Sequence, residues 1–219
     1  MRNYIKQQLK ESMLNKALFG NIRIIVKDPL PDSFDLGAVI NELEVKLNAK
    51  MMTNIDAIYI GSFPELEQRG MNAAFADGAI YCTNAQDNPD DLIDDIIHET
   101  SHAIEEQYTS EIYADGKIIS EFFSKRKYLN SYLEYEGSSP PESFLTEPDF
   151  IQDVDDYLYK EIGYPTLESL TVDIFLNPYS ITSVREYWAT GFEFYVGGEH
   201  EIVKSMCPKL YKKLAELMK

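Results

Sequence analysis

A mixed α+β fold is predicted for this 219-residue chain by three observations. Between residues 22 and 82, short β-branched runs alternate with an amphipathic helical pattern. A long capped helix follows, carrying two histidines one turn apart. From residue 117 the strand signals give way to helical periodicity, so a C-terminal helical part should accompany a small mixed sheet. A single domain over residues 1–219 is expected, with an insertion at 138–178.

The elements follow in order. Ile5, Leu9, Met13, Leu14, Ala17 and Leu18 stand at helical spacing, predicting a first helix over 2–18 that ends near Gly20. Ile22 to Val26 is a β-branched run stopped by Pro29 and Pro31, and suits a strand. Leu36, Val39, Ile40, Leu43 and Leu47 mark one apolar face of a helix over 35–49. Ile55 to Ile60 predicts a second strand, closed by Gly61 and Pro64. Residues 73–82 predict a third strand or a hairpin, with Asp77-Gly78 as its turn. Ala79-Ile80-Tyr81 is expected to present an open backbone edge, onto which a peptide substrate adds as an extra strand. After the central helix, Ile118, Ile119, Phe122, Phe123, Leu129 and Leu133 predict a helix over 117–135, ended by Gly137 and the following prolines. Residues 149–160 are acidic with two tyrosines, and the 138–178 stretch either covers a cleft or lies on the back surface.

The central helix carries the chemistry. Asn88 is placed to cap it, Pro89 suits its first position, and Asp90 and Asp91 face the positive end of its dipole. Leu92, Ile93, Ile96, Ile97, Ala103 and Ile104 make a buried stripe. On the same helix His98 and His102 project from one face, with Glu99 beside them. Two imidazoles at that spacing can hold a zinc ion, and the glutamate can take a proton from water.

The bulk numbers exclude several classes. A formal net charge of −17 argues against a nucleic-acid partner, which requires a concentrated basic patch, and favours basic or neutral substrates. The first twenty residues hold no apolar region of signal-peptide length, and no apolar run is long enough for a membrane span. The expected location is therefore cytoplasmic, or within or exported with a larger assembly. Cys82 and Cys207 suggest neither a disulfide framework nor a four-cysteine site, and read as small core residues.

A third ligand has to come from elsewhere. The extended metzincin motif needs a histidine six residues after His102, and that position is Tyr108. His200 stands alone in a Gly-Gly-Glu-His loop, which points instead to a carboxylate on a second helix. Glu186, heading the aromatic-rich stretch from Arg185 to Tyr195, is the candidate, with Glu193 the next choice.

HETSHAIEE, NPYSITSVREYWATGFEFYV and KSMCPKLYKKL together resemble the protease domain of anthrax lethal factor and, more closely, the clostridial Pro-Pro endopeptidases. The shared features are Ala103-Ile104-Glu105 after the histidine pair, Tyr179 seven residues before Glu186, and Cys207-Pro208 in a C-terminal helix. The resemblance spans residues 90–137 and 177–219. It implies a zincin-like fold and a zinc-dependent endopeptidase. His98, His102 and Glu186 would hold the zinc, Glu99 would act as general base, and Tyr179 would hydrogen-bond the oxyanion. The chain departs from the pattern at Thr190, where the family carries an acid, and in its longer gap before Glu186. From another class, the same residues fit a zincin-fold structural or binding component, part of a virus particle or a toxin accessory, with little or no proteolytic activity.

Overall fold

A computed structural model describes residues 16–31 and 34–219. Its contacts gather into two compact units, residues 1–107 and 108–219.

The first unit is built on a five-stranded sheet. Its strands are β1 (Ala17–Leu18), β2 (Ile22–Val26), β3 (Ala57–Gly61), β4 (Ala73–Ala76) and β5 (Ala79–Thr83), in the spatial order β1-β2-β3-β5-β4. The inner strands β2, β3 and β5 run parallel, and β1 and β4 close the two edges antiparallel. Ile24, Ile58 and Ile80 stand in register across the three parallel strands and are at most 1% exposed. Burial of this β-branched row is what makes those short runs strands. Parallel neighbours need crossovers. Helix α1 (Leu36–Lys46), capped by the Asp35 side chain, links β2 to β3, while α2 (Pro64–Arg69) and β4 link β3 to β5.

The hairpin expected around Asp77-Gly78 forms. Both residues have positive φ, 50° and 74°, as the tight turns matched to strand twist require. The edge expectation is corrected. Ala79–Tyr81 lies in β5, paired with β3 on one side and β4 on the other, and has no open edge to offer. The chain crosses over β4 to pair β5 with β3, which leaves β4 outermost. The first helix expectation falls mostly outside the described residues. Where it enters them it is also corrected, because Ala17 and Leu18 pair with Arg23 and Ile22 as a strand. Positive φ at Phe19 and Gly20 turns the chain back, and Leu18 is fully buried.

Helix α3 (Pro89–Tyr113) begins in the first unit and loses helical dihedrals at Tyr108 (φ −118°, ψ 25°), where the second unit starts. The second unit is helical: α4 (Lys117–Tyr135), α5 (Ser143–Thr146), α6 (Gln152–Asp156), a π-helical turn at Tyr157–Ile162, α7 (Tyr164–Thr171), a 3₁₀ turn at Tyr179–Ile181, α8 (Val184–Val196), α9 (His200–Met206) and α10 (Pro208–Leu217). Its core is aromatic, with Phe122, Phe175 and Tyr187 in mutual edge or tilted contact at centroid distances of 5.6–6.3 Å. Gly191 lets α8 and α10 approach, since a Cβ there would stand 2.1 Å from Leu210 Cδ2. The chain is thus α+β, a small mixed sheet in one unit and helices in the other. Among the described residues no helix is long and apolar enough to cross a membrane.

Candidate functional site

Helix α3 starts as its sequence requires: Asn88 Oδ1 accepts the Asp91 N–H at 3.0 Å, and Pro89 occupies the first position. Leu92, Ile93, Ile96, Ile97, Thr100, Ala103 and Ile104 are at most 4% exposed and fix the rotation of the helix. Thr100 Oγ1 donates to Ile96 O and reaches Met52 Sδ, while Asn54 donates to Ala103 O. With that stripe buried, the face bearing His98 and His102 is set by geometry.

His98, Glu99 and His102 come together. Among the described residues they form the group whose ligand atoms all lie within 4.8 Å of one another. The two imidazole rings stand 5.0 Å apart and nearly perpendicular. His98 is half-buried, and Glu99 and His102 are 7% and 5% exposed. His102 Nδ1 faces Glu105 Oε2 at 3.5 Å, one turn further along. A carboxylate at Nδ1 favours the tautomer that keeps the proton there and leaves Nε2 as the metal-binding atom. The donor set, two imidazoles with a partly buried carboxylate behind one of them, could hold a metal ion, and imidazole donors suit zinc.

Glu99 is held from the sheet. Its Oε2 accepts the Phe75 N–H at 2.6 Å. That N–H points outward from β4. Thr83 N donates to Asn72 O, so the pairs Ala74–Tyr81 and Ala76–Ala79 exchange ladder bonds, and the backbone groups of Ala73 and Phe75 face away from β5. Among the described residues no strand pairs with the outer side of β4, so its open edge runs beside Glu99. Asp95, one turn before Glu99, accepts from Gln86 Nε2 at 2.9 Å. Burial, with Glu99 adding to it, pushes its carboxyl up to about 6. Burial also pushes the Cys82 thiol well up, and both cysteines are buried and unpaired as disulfides, so Cys82 sits as a neutral core residue.

No protein-family model, no curated protein and no solved structure matches the chain.

Tyr179 and Glu186 belong to the second unit. Tyr179 opens the 3₁₀ turn and is 39% exposed. Asn177 Oδ1 accepts the Ser180 N–H at 2.8 Å, and Thr182 Oγ1 donates to Tyr179 O at the same distance, so the turn is closed at both ends. Ser183 caps α8 by accepting the Glu186 N–H at 3.1 Å, which puts the half-buried Glu186 in the first turn. Thr190, where the resembling family has an acid, is fully buried and donates to Asn177 Oδ1 at 3.5 Å. It ties α8 to the residue that caps the Tyr179 turn. Glu193 lies further along α8. His200 packs its ring against Tyr195 at 4.3 Å as part of an aromatic cluster with Tyr211.

Two further residues of the second unit carry no motif in the sequence. Tyr164, from the 138–178 stretch, has its hydroxyl pushed up to about 12 by burial and by the negative groups Asp155, Tyr159 and Glu186. Its ring meets that of Tyr159 at 5.8 Å. At least this part of the stretch therefore borders Glu186. The second is Arg126, whose signal in the sequence is a cation at an apolar position of α4.

Proposed function

We propose that the chain is a zinc-dependent metalloendopeptidase of zincin type. One observation carries this: His98, Glu99 and His102 converge on the buried-backed face of a single helix, with Glu105 behind His102 and an outward-facing strand edge against Glu99.

In this reading His98, His102 and Glu186 would hold the ion, Glu186 being taken from the motif spacing. When bound, zinc supplies Lewis-acid polarisation and brings the pKa of water down to about 7. The chain's own residues do the rest. Ala73 N–H and C=O and Phe75 C=O offer an extended peptide main-chain bonds along β4, which replaces the strand named from the sequence. Glu99, with Oε2 anchored on Phe75 N–H, takes the proton of the attacking water on Oε1 and returns it to the leaving amine. The Tyr179 hydroxyl donates to the oxygen on which charge develops.

Metal analysis paired with a mixed peptide library tests this. Purified protein should carry about one zinc per chain. Glu99→Gln should keep the zinc and lose roughly 10²- to 10⁴-fold in cleavage rate, and Glu186→Ala should bind zinc far more weakly, through the two histidines alone. Wild-type protein that takes up no zinc would refute the proposal.

A further inference from the structure

Arg126 is among the most buried side chains of the second unit, with no exposure, on a face of α4 otherwise lined by Phe122, Leu129 and Leu133. Arginine is almost never fully buried without an acidic partner, since an uncompensated buried charge is costly. Here burial alone depresses the guanidinium, to about 9, with no carboxylate contributing. It is still a cation at neutral pH. Its partners are main-chain carbonyls. Nε donates to Ile181 O at 2.9 Å, Nη1 to Phe144 O at 3.0 Å and Glu147 O at 2.8 Å, and Nη2 to Ile181 O at 2.7 Å and Thr182 O at 2.9 Å. These bonds engage the whole donor fork. Phe122 and Phe144 cover the guanidinium at 4.4 and 4.9 Å.

The carbonyls are not scattered. Ile181 and Thr182 are the last residues of the Tyr179 turn and immediately precede Ser183, the cap of α8. Phe144 and Glu147 belong to α5 and its cap, and Pro148 O accepts the Val184 N–H at 2.7 Å, so the same strap is stitched to the first residue of α8. A helix-ending pair of carbonyls and the start of the next helix are thus locked by one planar fork. Core packing would be served as well by an apolar side chain of similar size. What the fork adds is a defined direction for residues 179–186.

The structure assigns Arg126 a positioning role: it sets the Tyr179 turn and the first turn of α8, and through them the orientation of Tyr179 and Glu186. This role rests on the zinc-peptidase proposal above for what those two residues do. Arg126 touches neither substrate nor metal. Lysine cannot replace it, because one ammonium on a flexible stem cannot engage four carbonyls in two directions.

The test is Arg126→Lys, measured alone and in Tyr179→Phe and Glu186→Ala backgrounds, on folded protein well below its melting temperature. Alone it should lower kcat roughly 100-fold with KM little changed, and weaken zinc binding at least about 10-fold, read by competition with a chelator. In the Tyr179→Phe background the kcat loss should shrink to within about 2-fold, and in the Glu186→Ala background zinc affinity should fall no further. A merely structural role would give losses that multiply in every background, and that result, or wild-type kcat and zinc affinity in Arg126→Lys, overturns the assignment. Should the variant not fold, the wild-type Arg126 Nε–H resonance decides it. The resonance should shift on addition of zinc, and an unmoved resonance overturns the role. Wild-type protein that binds no zinc refutes the metal site itself. A zinc-loaded wild type beside an unaffected Arg126→Lys refutes only the role of Arg126.

Discussion

Glu105 gives the sharpest test of the proposed metal centre, because it can be removed without touching a proposed ligand. Its Oε2 lies 3.5 Å from His102 Nδ1, and the two side chains are only 12% and 6% exposed, so solvent screens the contact little. Glu105→Ala leaves an excellent helix former in place and does not weaken α3. It removes the acceptor that holds the Nδ1 proton and keeps Nε2 available. Loss of such an outer partner typically costs 10- to 100-fold in metal affinity, which is about 1.4 to 2.7 kcal/mol. Chelator competition at fixed pH measures it, with Glu106→Ala, an exposed neighbour, as the control expected to stay within about 2-fold. Equal zinc affinities for Glu105→Ala and wild type would show that His102 is not held for a metal in this way.

Two other perturbations probe the two units separately. Gly191→Ala drives a Cβ to 2.1 Å from Leu210 Cδ2. The clash should cost about 1–3 kcal/mol against about 1 kcal/mol gained in helix propensity, so denaturant melts should show net destabilisation, partly relieved by Leu210→Ala; a variant more stable than wild type contradicts the packing described for α8 and α10. Asp95 titrates near 6 in the fold, against an ordinary aspartate value of 3.8 in the unfolded chain. A raised carboxyl makes the folded state the greater proton binder between those values, so its stabilising contribution is complete below about 4 and is lost as pH rises through 6. Asp95→Asn should therefore flatten the fall in melting temperature between pH 4 and 6 and stabilise the metal-free protein at pH 7 by at most about 3 kcal/mol, and an unchanged pH profile would refute that.

Much of the candidate site was legible because its signals are local. Asn88, Pro89 and the apolar stripe specify α3 and its rotation through contacts three and four residues apart, so the His98–Glu99–His102 face followed from spacing. The helix over 117–135 and the turn at Asp77-Gly78 were readable for the same reason, one from periodicity and the other from residues that tolerate positive φ. Helix α2, with six residues, is too short to carry a period. The pieces of 138–178, broken by Gly137, Pro148, Gly163 and Pro165, give no sustained pattern either.

What tertiary pairing settled was of another kind. Ala79–Tyr81 reads the same as an edge or an inner strand, because a strand's propensity does not depend on which neighbours it finds. The crossover that seats β5 against β3 is what exposes β4 and turns Phe75 N–H toward Glu99. Ala17 and Leu18 satisfy a helical period, yet hydrogen bonds to β2 take them into the sheet. Arg126 stands at an apolar position of its helix, but its role was hidden for a similar reason: the carbonyls that surround it lie 18 to 56 residues away. Spacing along the chain encodes local geometry, whereas partners distant in sequence are chosen by competition among all the surfaces that can be buried.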